Sequence, residues 1–154
     1  MVDNTLRPIE TDRLAELIDQ KLKVLAQIRQ LADRQTLLVS GGNMSALLGL
    51  LAVKQKLLGS LQSLERQLDG FRQQDPEKRV WRSEEARKRT RRAAEQCQTL
   101  LDEIMRIERR CESDLVERRD AAVDSLQGAH RATQAQRAYT GSGATRLGQI
   151  DFEQ

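Results

Sequence analysis

Chemistry in this chain has few side chains to draw on. There is one histidine, His130, and two cysteines, Cys97 and Cys111. His130 stands alone on a weakly apolar helical stretch, with no partner to orient its imidazole for acid–base work. No grouping of His, Cys, Asp and Glu has the spacing of a metal site, so neither a metal nor another cofactor is expected. No Ser, Cys or Lys has a base beside it that would make it a nucleophile. Glu84, Glu85 and Glu95 sit among arginines, where helical ion pairs contribute a few tenths of a kcal/mol, roughly. Gly41-Gly42-Asn43 lacks the preceding strand and following Lys of a phosphate loop. The chain is therefore expected to bind rather than to catalyse.

The basic residues pose a second question. Residues 78–92, KRVWRSEEARKRTRR, hold eight bases and two acids. Arg79, Arg82, Lys88, Arg89, Arg91 and Arg92 are candidates for contact with nucleic acid or an anionic membrane surface. On one helix, however, they point in several directions. A nucleic-acid interface groups its bases on one face, so this stretch is expected to be a solvated surface and nucleic acid is not the expected partner. Net charge over the whole chain is only +3.

Composition then bounds the scaffold. The 154 residues suit one domain, with 38% apolar and 32% charged residues. One Trp, one Tyr and two Phe leave few aromatic anchors. Abundant Leu, Ala, Glu, Gln and Arg favour helices with a narrow apolar stripe. The start, MVDNTLRPIETDRL, lacks the apolar core of a signal peptide. No run approaches the roughly 20 apolar residues of a membrane span. A cytoplasmic location is expected. Cys97 and Cys111, on one helix, lie about 21 Å apart by helical rise, which rules out a bond between them.

Three helices follow from the periodicity. The first is expected over 11–39, capped by Thr11 or Asp12, with residues 1–9 frayed. Its apolar set is Leu14, Leu17, Ile18, Leu22, Val24, Leu25, Ile28, Leu31, Leu37, Leu38 and Val39. Gly41 is placed as its left-handed terminator and Asn43 as the cap of a second helix over 43–73. So short a connection makes the two antiparallel neighbours. In the second, Leu47, Leu50, Lys54, Leu57, Leu61, Leu64, Leu68 and Phe71 alternate by three and four, a coiled-coil seam that Lys54 interrupts with its ammonium in water. Leu48, Leu51 and Leu58 widen that face. Asp75-Pro76-Glu77 is expected to open a third helix over 76–138, with a break possible at Gly128. Its best stripe is Ala93, Cys97, Leu100, Leu101, Ile104, Ile107, Cys111 and Leu115. The domain is set at 1–138, and 139–154 is expected to be a flexible tail in which Ile150 and Phe152 have a docking role open to them.

Two helices of about 30 residues cannot sheathe a third of about 60. An unsheathed helix is marginal in water, so the remainder must fold back, pair with a second copy or find another partner. Its apolar stripe is a candidate docking face for an amphipathic helix.

The run Leu37-Leu38-Val39-Ser40-Gly41-Gly42-Asn43, followed by Leu47-Leu48, Leu50-Leu51, Lys54, Leu57-Leu58, Leu61 and Leu64-Glu65, resembles the FlgN family of flagellar export chaperones. Tyr139-Thr140-Gly141-Ser142-Gly143 is similar to the segment after that family's last helix. The resemblance spans about 10–145. It implies an all-α fold and a cytoplasmic chaperone for the hook-filament junction proteins. Such a chaperone keeps its cargo soluble and delivers it to the flagellar type III export apparatus without nucleotide hydrolysis. It also implies that cargo binds along the end of the last helix, among Ile104, Ile107, Cys111, Leu115, Val123 and Leu126, and that Tyr139 docks at the export gate. The Arg-rich start of the third helix departs from the family pattern. The alternative is a structural coiled-coil scaffold that self-associates.

Overall fold

The computed structural model describes the backbone of residues 2–152 and the side chains of residues 10–141. Three α-helices and one 3-10 turn make up the described chain, with no strand among the described residues: α1 (Val2–Gly41), α2 (Met44–Arg72), the turn Pro76–Lys78, and α3 (Glu84–Phe152). The fold is all-α, an antiparallel hairpin of α1 and α2 packed against a long third helix.

The hairpin turn forms as its residues demand. Gly42, not the expected Gly41, takes the left-handed conformation, with φ 70°. Gly41 is the last residue of α1. Asn43 caps α2 by accepting the Ala46 N–H at 3.1 Å.

The inward faces follow a spacing of three and four. In α1 the buried series Leu25, Ile28, Ala32, Gln35, Val39 steps strictly in this way. Leu37 falls off that face and is 73% exposed, as is, less fully, Leu51 of α2. Leu47, Leu50, Leu64 and Leu68 of α2 are buried, with Leu57, Leu61 and Phe71 half-buried. One cluster joins Leu14 and Leu17 to Leu64 and Leu68, with Phe71 and Trp81 against it. The next joins Leu25 and Ile28 to Cys97 and Ile104 of α3. Each fully buried leucine-sized group contributes roughly 1.5–3 kcal/mol.

Both ends of α1 and α3 differ from expectation. α1 runs from Val2, so Thr11 lies inside the helix and caps nothing; the side chains of residues 1–9 lie outside the described residues. The hydroxyl of Thr11 donates instead to the carbonyl of Val80 at 2.8 Å. That contact explains the delayed start of α3. Asp75 and Pro76 open only a 3-10 turn, in which the Asp75 carboxylate accepts the Glu77 N–H at 3.1 Å. Residues 79–83 then run as a linker, held by Thr11, by an Arg82–Asp12 pair at 2.6 Å and by half-buried Trp81 packed against the first cluster. Ser83 is the true cap of α3, accepting the Ala86 N–H at 3.0 Å. α3 passes through Gly128 without a break and continues past 138, because no proline follows to stop it. The expected docking of Ile150 and Phe152 lies outside the described side chains.

The chain divides into two compact units, Met1–Glu112 and Ser113–Gln154. The first unit contains the hairpin, the linker and the start of α3. In the second, every described side chain from Val116 to Gly141 is exposed.

Candidate functional site

The residues expected to hold a partner helix fall into two groups. Ile104 and Cys111 are buried in the first unit, Cys111 to 1% exposure. Ile104 packs with Leu25 and Ile28, and the Cys111 thiol lies 3.4 Å from the Thr36 hydroxyl. Both are therefore withdrawn from the docking face: α1 already covers them. Ile107 and Leu115 are half-buried. Ile107 lines an open groove of about 570 Å³ between α1 and α3, together with Leu37, Arg29, Glu103 and Arg106. Val123, Leu126 and Tyr139 are exposed, Leu126 to 70% and Tyr139 to 83%. Val116, seven residues before Val123 on the same weak stripe, joins them at lesser exposure.

A polar layer inside the first unit was also missed. Lys54 of α2 does not reach into water as expected. Its ammonium pairs with Glu108 of α3 and donates to the Gln35 side-chain oxygen of α1 at 3.1 Å. Gln35 in turn donates to Glu108 at 3.4 Å. One residue from each helix thus closes a ring where the three helices meet. Gln35 falls on the α1 seam and Glu108 borders the α3 seam. Three polar residues near seam positions were the available signal, but single-helix periodicity does not reveal that they meet.

Other charges tie the hairpin together. Lys21 of α1 pairs with Glu65 of α2 at 2.6 Å, and Arg72 also reaches Glu65. Burial opposes ionisation of Glu65, but the hydrogen bonds from Lys21 and Arg72 outweigh it and hold its carboxyl below the ordinary value of 4.5. Arg29 spans from Asp33 at 2.6 Å to Glu103 at 3.0 Å, and these hydrogen bonds raise its already high pKa. Burial pushes the Cys97 thiol up, with its hydrogen directed at the Ile18 carbonyl at 3.8 Å. Such a thiol is a poor nucleophile. Cys97 and Cys111 are both free.

Among the described residues no group of three His, Cys, Asp or Glu side chains is placed to hold a metal. His130 is exposed. α2 corrects the reading of run lengths: by length and composition alone it is apolar enough to cross a bilayer. Leu47, Leu50, Leu64 and Leu68 supply its hairpin seam, but only 6% of its most apolar stretch is buried, and Met44, Leu48, Leu51 and Val53 stay exposed.

No family model, no curated protein and no solved structure matches the chain. The geometry offers an exposed, sparsely apolar helical face and no grouping suited to acid–base or nucleophilic work among the described residues.

Proposed function

We propose that this protein is an export chaperone for flagellar hook-filament junction proteins, similar to the FlgN family, and that it binds the amphipathic helical end of its cargo along α3. The observation that supports this reading is the exposure of every described side chain from Val116 to Gly141 on a helix carrying Val116, Val123 and Leu126. A lone helix in water has little to hold it. A cargo helix laid on that face would bury those side chains and stabilise both partners. Tyr139 sits beyond them, exposed, as the proposed contact with the export gate. Ile107 and Leu115 mark the near limit of the cargo site; Ile104 and Cys111 no longer belong to it.

Co-expression with the helical end of a junction protein tests the reading. A soluble heterocomplex is expected, and Leu126→Glu should weaken it while leaving the hairpin folded. A stable homo-oligomer that ignores the cargo segment would overturn the proposal in favour of a self-associating scaffold.

A further inference from the structure

A second concavity lies by the hairpin's open end, away from the proposed cargo face. It is a cavity of about 520 Å³ within the first unit, between α1, α2, the linker and the start of α3. Its apolar wall includes Leu14, Ile18, Leu68, Phe71 and Trp81. Its polar lining is one-signed: Lys21, Arg72, Arg79, Arg87 and Arg91 contribute, and no carboxylate does. That size and mixture suit a small ligand.

Three of those five bases already have partners. Lys21 and Arg72 share Glu65, and Arg91 lies 3.6 Å from Glu95. Arg79 and Arg87 differ. One terminal nitrogen of Arg79 donates to the Phe71 carbonyl, but its Nε–H is buried with no hydrogen-bond partner. A buried donor on a charged group is costly to leave unmade. Arg87 is exposed on the first turn of α3 and borders the same cavity. Guanidinium groups present donors that fit carboxylate and phosphate oxygens. Arg79 also borders a smaller hollow of about 250 Å³, but there Glu10 and Asp75 stand beside Lys78, so its lining is of mixed sign.

We infer that this cavity binds a small amphipathic anion, with its apolar body against Phe71 and Trp81 and its carboxylate or phosphate head on Arg79 and Arg87. The site is separate from the cargo face on α3, so either assignment can fail without the other.

Trp81 is the sole tryptophan and lines the cavity, so its fluorescence reports occupancy in the full-length chain. The probes share one body: decanoate, decyl phosphate, decanol and decyltrimethylammonium, all below their micelle concentrations. A saturable change in Trp81 emission is expected with decanoate or decyl phosphate, whichever head the site accepts. Decanol and the cation should need at least about tenfold higher concentration. Arg87→Gln should weaken the anion at least about fivefold while leaving the unfolding midpoint unchanged, since Arg87 is exposed. Arg79→Gln should weaken it further. Equal binding of decanol and the anions, no saturable response to either anion, or unchanged anion affinity in folded Arg87→Gln would each overturn the proposal.

Discussion

α3 holds two kinds of helix in one element. From Thr90 to Cys111 its inward positions Thr90, Ala93, Cys97, Ile104 and Cys111 are buried, in steps of three, four and seven. From Val116 to Gly141 nothing is buried. The residues differ accordingly. The covered stretch fills its seam with Cys, Leu and Ile, whereas the exposed stretch offers Val116, Val123, Leu126 and Tyr139 among alanines and charges. Helical propensity is similar in both, so propensity does not separate them. The reach of the hairpin sets the change: Thr36, near the end of α1, meets Cys111, and α1 stops at Gly41.

The sharpest test of that contrast pairs one truncation in each region. Leu25→Ala removes a fully buried side chain from the cluster that holds Cys97 and Ile104. It should cost about 2–5 kcal/mol of unfolding free energy in a urea titration. Leu126→Ala, with its side chain in water, should stay within about 0.5 kcal/mol. Comparable losses at both sites would mean that the exposed stretch is packed in solution and would remove the basis for a docking face.

A second test concerns polar residues, which behave differently when covered. Lys54→Met strands Glu108 and removes a donor from Gln35, at a cost of about 2 kcal/mol by urea titration. Adding Glu108→Leu alone should recover little, because Gln35 would then be buried with neither partner. Adding Gln35→Leu as well should restore most of the stability, since an apolar layer can replace a satisfied polar one. Arg131→Ala in the exposed stretch should move the midpoint by less than about 0.5 kcal/mol. If Lys54→Met proves as harmless as Arg131→Ala, the ring contributes nothing.

The ion pair between the hairpin helices gives a third, smaller effect with a defined pH dependence. Glu65 is depressed in the fold relative to its ordinary 4.5. A depressed carboxylate adds stability above its unfolded value and loses it as pH falls through its folded value. Glu65→Gln should therefore lower the unfolding midpoint at pH 7, and the gap to the parent protein should close as the pH is taken below that depressed value. A gap independent of pH would show that Glu65 acts by packing rather than by charge.

Much of this scaffold was legible in the residues. The leucine spacing of α2, the Gly-Gly-Asn turn and the stripe from Ala93 to Leu115 all describe single helices, and single-helix periodicity reads them well. What escaped depends on contacts between elements. The late start of α3 is one case: Asp75-Pro76-Glu77 is a sound local start, yet Thr11 and Asp12, distant in sequence, hold the linker extended. The Lys54–Gln35–Glu108 ring is another. So is the withdrawal of Ile104 and Cys111 from the docking face, because a stripe's amplitude does not say which of its turns the hairpin already covers.

Gly128 gives the smallest effect and the most local one. It lies inside α3 in the exposed stretch, and a Cβ added there would meet nothing within 4 Å. Its backbone is not in the left-handed region. Gly128→Ala should then stabilise the helix around it by roughly 0.5–1 kcal/mol, through the lower conformational entropy of the unfolded chain. The gain should appear as slower amide exchange near residue 128. The urea midpoint reported by Trp81 should not move, because that side chain packs in the first unit. A shift of the Trp81 midpoint would show that the exposed half of α3 and the hairpin unfold as one cooperative body, and the contrast between the two stretches would then be one of burial without any difference in local stability.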